Sequence, residues 1–596
     1  MEQITTDILV VGGGTGGTAA AIQSALGGAK TVLVSEFSWL GGMLTAAGVA
    51  AVDGHELAAW QTGIWGKFLR ALQQKSPKGL DCGWVSMFTY DPRLGAEIFA
   101  DWVRDLPNLQ WIRGEIPQEV MREGDRITGV KFPNWTIQAT ITIDGTELGD
   151  LLPLGNIPHR WGWELKDEFQ EPSAPSILEP WMQKYPVQAP TWVMIMQDFE
   201  EEIAPEIAPT SQDLSQFTKA WADHGSVDFL NYGRLPQGLM MINWPIAGND
   251  YGEGLDRLIT SPEKRQEFCQ ECFDHSYNFA SFIQQQLGRR YGLAQGIFPS
   301  DRSAFAIHPY YRESRRLKGL VTITEQDILP EAGGNVAALR TDGVAIATYA
   351  NDHHYPDHKL PLQPKSLRWG GRWTGTPFSI PYGALIPEKI DGFLVCEKNI
   401  SVSHIANGAT RLQPAVLLIG QAAGMAAALC IQNEIMPRNL SVRKLQNALL
   451  GIGKLPTIAP SAIVPLYNLP ADHSQGQKWQ KWQQYYLDNP ENYPSTGEVP
   501  DLAKTPSVTL ALNTSLTATN QSYQGIFHRQ GMQKYQITLH NSLLIGTKVW
   551  GLITLNPEVN QQLIDYPEGE FIQVWGRLNP SGKWLVAEKI ELFSPQ

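Results

Sequence analysis

Four groups of side chains in this chain have the types and spacing to do chemistry. The densest is His308-Pro-Tyr-Tyr-Arg312-Glu-Ser-Arg315-Arg316, a histidine and three arginines around two tyrosines. A guanidinium there can clamp a carboxylate or phosphate through a bidentate pair. The alternative is a structural Arg–Glu network that braces two domains. His404 is a candidate acid–base group, or a buried histidine satisfied by the backbone. Asp352-His353-His354-Tyr-Pro-Asp357-His358 offers carboxylates and imidazoles to a metal. No cysteine joins it and its spacing matches no common site, so it reads as a surface or pocket-rim loop and no metal is expected. Cys269 and Cys272 form a CxxC pair. They are a redox dithiol or, on the plainer reading, two thiols packing on one helix face.

These groups need a scaffold, and the N-terminus supplies its beginning. Thr5-Thr-Asp-Ile-Leu-Val-Val-Gly-Gly-Gly-Thr-Gly-Gly runs from a buried strand into glycines at 12, 14 and 17. A small-residue helix follows, then a second apolar strand from Thr31 that ends at Glu36, 19 residues after Gly17. This is the dinucleotide fingerprint in its strand–turn–helix–strand context. Gly12 permits the tight turn, Gly14 lets the backbone approach a pyrophosphate, and Gly17 lets helix and strand pack closely. The helix N-terminus presents unpaired N–H groups and a positive dipole end to phosphate. Glu36 is placed to accept from ribose hydroxyls.

Further segments narrow the cofactor. Gly41-Gly42-Met-Leu-Thr45 follows the ribose acid. Ile141-Thr-Ile-Asp144-Gly145 is a strand and turn far downstream. Asp391 to His404, then Arg411-Leu-Gln413-Pro414-Ala415-Val416 and a run to Ala428, give a strand followed by an apolar helix. Together with Arg312 to Arg316 and Ala384 onward, these pieces resemble the FAD-dependent oxidoreductase family, of glutathione-reductase-like fold, over residues 1 to about 455. The resemblance implies FAD, with the glycine pair against the flavin end. It implies that the helix from about Pro414 points its N-terminus at the flavin N1/O2 edge and that Val120 lies near the adenine. The candidate cofactor-binding residues are then Gly12, Gly14, Thr15, Gly16, Gly17, Glu36, Gly41, Gly42, Met43, Thr45, Val120, Asp144, Gly145, Gln413, Pro414, Ala415 and Val416. His404, Arg312 and His308 are the catalytic candidates. Only one full dinucleotide fingerprint is present, which favours a substrate bound directly over the flavin. The chemistry implied is dehydrogenation or oxidation of an organic small molecule, anionic if the arginines bind it. No motif identifies the electron acceptor. The alternative is a flavin-bearing scaffold or electron-transfer partner without its own turnover.

The chain has 596 residues, 43% of them hydrophobic and 18% charged, which is ordinary for a globular protein of several domains. A net charge of −13 argues against nucleic acid or an anionic membrane as a partner. The longest apolar stretch, 414–431, is interrupted by Gly420, Gln421 and Gly424 and reads as a buried cofactor helix rather than a membrane span. With the first strand starting near Met1, no signal segment is expected and the protein reads as cytoplasmic. Five cysteines do not make a disulfide framework. The twenty tryptophans read mainly as core, with Arg368-Trp-Gly-Gly-Arg-Trp373 open between core and site.

The fold class expected is α/β. A Rossmann-type FAD-binding domain spans 1–155 and 381–455, with an inserted α+β substrate domain at 156–380. Helices are expected at 212–224 and 262–291, strands at 191–199 and 239–244. Residues 456–505, rich in Pro, Gln and Asn, read as a linker or loose wrap. Short alternating strands in 506–596 read as a small all-β, OB-like barrel. That segment carries six Lys/Arg and six Asp/Glu, so no basic groove for nucleic acid is visible. An accessory or homo-oligomer-contact module is the favoured role.

Overall fold

The computed structural model describes residues 2–76, 79–245, 247–364, 366–469, 476–500, 521–540 and 549–593. A buried apolar run, Ile8-Leu-Val-Val, lies in the first strand, β1 (Glu2–Val11). It is followed by α1 (Thr15–Leu26), β2 (Thr31–Ser35), β3 (Leu109–Arg113), β4 (Glu119–Glu123), β5 (Arg126–Lys131) and β6 (Trp135–Asp144). The sheet order is β3-β2-β1-β6-β5-β4, and strand Phe393–Val395 pairs in parallel with the end of β6. The pairs β2–β3, β1–β2 and β1–β6 are parallel, whereas β4, β5 and β6 form an antiparallel meander. Continuous apolar strands are what a sheet covered on both faces requires. The C-terminal ends of β1, β2, β6 and Phe393–Val395 converge on the N-terminus of α1, the edge at which open α/β sheets bind ligands.

Helix Gln413–Asn433 packs along α1 and is buried over almost its whole length. It is the one helix among the described residues long and apolar enough to cross a membrane, and 94% of its apolar window lies inside the protein. Its small residues explain the close fit. A Cβ on Gly420 would stand 2.2 Å from Gly16 O, and one on Gly424 2.3 Å from Ala20 O.

Between the two parts of this unit lie a three-stranded antiparallel sheet (Met194–Asp198, Leu239–Ile242, Tyr291–Leu293) and the long helix Pro262–Leu287. Cys272 is buried on that helix, while Cys269 meets the Tyr311 hydroxyl at 3.5 Å; both are free thiols. The helix expected at 212–224 does not form. That stretch is a 3-10 turn, Ser215–Phe217, with turns around it, and the helix begins at Gly225. Phe217 and Ala220 of that stretch are buried and Leu214 and Trp221 pack against the same cluster, carried there by turns rather than by a continuous helix.

Residues 456–469 and 476–499 pack onto the main core through Ile463, Val464, Leu466, Tyr467, Tyr486 and Val499, although composition suggested a linker. The C-terminal region is a closed five-stranded barrel of Gln521–Gly531, Lys534–Leu539, Val549–Ile553, Trp584–Leu592 and Phe571–Asn579 in that order. Helix Pro557–Asp565 joins the third and fourth strands in sequence. The barrel docks by specific contacts. Arg577 pairs with Asp81 at 2.7 Å, Asn579 Nδ2 donates to Gly83 O, and Thr554 N donates to Gly370 O. The Arg368–Trp373 segment is the turn of hairpin Ser366–Trp369/Arg372–Gly375, and its glycines let the hairpin close on the barrel.

Candidate functional site

The glycines at the head of α1 interlock with the end of β6. Gly12 has φ +106°, and a Cβ there would stand 2.2 Å from Gly145 O. A Cβ on Gly17 would reach 2.0 Å from Gly12 O, and one on Gly145 2.5 Å from Gly17 Cα. Asp144 fixes this turn, its Oδ1 accepting from Thr146 N and Thr146 Oγ1. Burial pushes its carboxyl up to about 7. Thr15 ties the turn at 41–45 to the same helix end, donating to Gly41 O and accepting from Met43 N. Gly41 and Gly42 both have positive φ, and a Cβ on Gly42 would stand 2.7 Å from Thr15 N. Thr45 Oγ1 donates to Leu40 O. Val120 lies on β4, at the opposite edge of the sheet from β3.

Charge gathers where α1 begins. Gly16 N donates to Glu397 Oε2 at 2.7 Å. Lys398, fully buried, bridges Glu397 at 2.9 Å and Glu147 at 2.6 Å. Burial drives Glu397 upward, with Lys398 opposing. Glu147 falls below its ordinary value because Lys398 and His308 outweigh its burial. His308 stacks on Phe37 with centroids 4.7 Å apart, and its Nδ1 is 2.8 Å from Pro309 O. Burial holds it below the ordinary histidine value, with Glu147 opposing. Glu36 opens into a cleft beside Asp150 and Arg265; the surrounding protein and then the Asp150 carboxylate push it up to about 7.

The three arginines of the central motif each have a carboxylate. Arg315 pairs with Asp150 at 3.0 Å, as does Arg265 of helix Pro262–Leu287 at 2.6 Å. Arg316 meets Glu164 at 2.8 Å and Glu313 at 3.2 Å. Arg312 pairs with Asp250 at 3.0 Å and donates to Ala189 O and Asn243 Oδ1. His404 lies in the same buried net: Nδ1 is 2.8 Å from Glu313 Oε1, Nε2 is 2.7 Å from the Tyr355 hydroxyl, and Trp163 covers the ring. Burial and then Arg316 drive it down to about 3, leaving it neutral. Its partners are side chains, which a reading of spacing alone does not supply.

A second charged group surrounds a hollow near the start of helix Gln413–Asn433; the sequence offered the 352–358 segment as a surface or pocket-rim loop but did not join it to Asp53 and Arg411. Asp352 keeps 42% of its side chain open although it is ringed by protein. His354 stands between Asp352 (Nε2, 2.6 Å) and Asp250 (Nδ1, 3.2 Å). Arg411 donates to the Tyr310 hydroxyl at 2.5 Å and reaches Asp352, while its buried Nε has no partner. Gln413 Oε1, Asn407 Oδ1 and both amide atoms of Asn351 are likewise buried and unpartnered. Asp53 and Arg372 complete the ring. The only signals in the sequence were the Asp53-Gly54 pair after the glycine turn and the 352–358 cluster. Among the described residues no three His, Cys, Asp or Glu side chains are placed to hold a metal.

The model of the family described as FAD dependent oxidoreductase matches residues 7–449. The chain belongs to that family. FAD is therefore its cofactor, and the geometry fits it. At Gly12, Gly14 and Gly42 the chain packs too closely for a Cβ, as the dinucleotide turn requires, Glu36 faces an open cleft, and Glu147 Oε1 is left without a partner. No curated relative matches the sequence. Among solved structures, the chain is similar to a geranylgeranyl bacteriochlorophyll reductase-like protein from Thermoplasma acidophilum. Identity is 9% and the TM-score 0.31, over 82% of this chain and 91% of that one. It is also similar to the anhydrotetracycline hydroxylase OxyS from Streptomyces rimosus (15%, TM-score 0.23, 34% and 39%) and to the flavin-dependent brominase Bmp2 (11%, 0.23, 34% and 48%). The chain thus spans about two fifths of the hydroxylase's length. At these scores the neighbours add no argument, and the assignment rests on the family match.

Proposed function

We propose that this FAD-dependent oxidoreductase is a dehydrogenase or oxidase that takes a hydride from an organic small molecule held in the hollow at Asp53, Asp352 and Arg411. The observation that carries this reading is Asp352, whose side chain stays 42% open although protein rings it, with Arg411 and Asp53 beside it. A charged side chain left open inside the fold suits a polar ligand or ordered water. FAD supplies the hydride acceptor, its N5 atom. The chain's own residues bind, orient and exclude water. Residues 156–380 serve as the substrate-binding insert and 506–596 as an OB-like accessory barrel. Arg411 and Arg372 are better placed than Arg312 to meet an anionic group, because Arg312 already pairs with Asp250. On this reading Arg312 and His404 position the hollow from beneath, and His308 lines the cofactor cradle. The protein works in the cytoplasm, with no nucleic-acid or membrane partner. The test is anaerobic mixing of the yellow protein with a metabolite panel, followed at the flavin band near about 450 nm. Bleaching by one compound class, abolished in Arg411→Met with FAD retained, supports the reading. A flavin that no compound bleaches contradicts it.

A further inference from the structure

The hollow holds two acids in unlike settings. Asp352 is held by His354 at 2.6 Å and faces Arg411. It lies well below the ordinary carboxylate value; burial opposes this, and His354 and Arg411 outweigh it. It is a fixed anion and a weak base. Asp53 is different. It is half-buried and makes no hydrogen bond or ion pair to any described residue. Its loop cannot move away to find one. Gly54 (φ +82°) lies against Thr348 O, His55 N donates to Thr348 Oγ1, and the His55 ring meets Ile346 O at 3.0 Å. Six groups face Asp53 from the elements around it: Glu56 on its own loop, Tyr232, Tyr349, Asp352, Arg372 and Arg411.

Resting on the reading of the hollow as the substrate site, we propose that Asp53 is the catalytic base and that the substrate is an alcohol. The chemistry of the partnerless carboxylate favours one class. An amine, once deprotonated, drives out its hydride with its own lone pair and yields an iminium ion, so no proton leaves in the hydride step. An alcohol must lose its O–H proton as the carbonyl forms. The C–H bond breaks with its electron pair going to FAD, the O–H bond breaks with its proton going to an Asp53 carboxylate oxygen, and a C=O bond forms. FAD is reduced by two electrons and the alcohol is oxidised by two. Two acids whose surroundings push them apart divide the roles of base and fixed charge. Burial, then Glu56 and Asp352, raise Asp53 to about 7, close to where a base is most effective.

The experiment uses the FAD-loaded protein without substrate. The flavin absorption spectrum is recorded across about pH 5 to 9, a range that brackets the ordinary histidine value. Glu36 and Asp144 also stand near 7, so the wild-type change is compared with each variant: a component with a midpoint near 7 is expected to be lost in Asp53→Asn and to move to lower pH in Glu56→Gln, which removes a like charge. A wild-type spectrum flat over this range with FAD still bound, or a transition unaltered in Asp53→Asn, overturns the assignment while leaving the flavin reading intact. Should Asp53→Asn not fold, an unmoved midpoint in Glu56→Gln overturns it equally. Protein that holds no FAD would instead strike at the reading on which the proposal rests. Once an alcohol substrate is found, Asp53→Asn should lose at least a hundredfold in kcat with little change in KM.

Discussion

Gly16→Ala isolates the close approach on which the cofactor cradle depends. Gly16 lies within α1 and has no positive φ, so alanine brings no backbone strain. Its Cβ, however, would stand 1.6 Å from Cys396 O. A carbon resting on a carbonyl oxygen needs about 3.3 Å, so the chain must part by about 1.7 Å. That chain follows strand Phe393–Val395, registered on β6 through Val395 and Asp144, and carries Glu397 and Lys398. Overpacking alone costs about 1–3 kcal/mol. Loss of the charged hydrogen bond from Gly16 N to Glu397 adds about 1.5–3 kcal/mol. A destabilisation of about 2.5–6 kcal/mol is expected, and FAD affinity should fall because the glycine turn at the head of α1 is displaced. Gly28→Ala is the control: its φ is +89° but nothing lies within 4 Å of the new atom. It should cost only about 1 kcal/mol and leave FAD binding unchanged. The assays are denaturant unfolding of FAD-free protein and titration by quenching of flavin fluorescence. A Gly16→Ala protein within about 0.5 kcal/mol of wild type, with unaltered FAD affinity, would refute the reasoning.

Arg312→Ala leaves Asp250 buried without its cation, so a loss of about 3–5 kcal/mol in stability is expected rather than a clean loss of substrate binding; unchanged melting with lost turnover would favour a substrate role. Stability should also depend on pH. Asp53, Asp144, Glu171 and Glu313 stand at about 7, chiefly through burial, so the folded chain binds protons that the unfolded chain releases near about 4. Stability from these groups is therefore present at low pH and lost as pH rises through 7. The buried neutral histidines His55, His353 and His404 act oppositely, but only below about 6.5. Melting temperature should rise as pH is lowered from about 8 to 6.5, and a flat profile would count against these assignments. Truncation near residue 500 removes Trp584, on which the Arg372 guanidinium rests at 5.0 Å, along with the core residues Ile553 and Val586. The shortened protein should keep FAD but melt lower; equal melting would show the barrel to be independent.

The cofactor half of the site was legible because its signals are local. Gly12, Gly14, Gly17 and Glu36 sit within one strand–helix–strand unit, and their spacing is dictated by backbone geometry. The inward run Gln413 to Ala428 was legible because a helix buried all round has no polar face. The hollow was not legible, since Asp53, Asp352 and Arg411 come together only through tertiary contacts. The choice between clamp and brace for the arginine motif was open for the same reason: its partners Asp150, Glu164 and Asp250 are between 62 and 165 residues away in sequence. At 212–224 the apolar spacing resembled an amphipathic helix, but local turns bring the same side chains onto the core.

A crystal structure of the FAD-loaded protein tests the account most directly. The pyrophosphate should lie at the head of α1 beside Lys398, and the isoalloxazine should end at Gln413 with one face open to Asp53, Asp352 and Arg411. An isoalloxazine pointing elsewhere, with that hollow sealed off from it, would contradict the account.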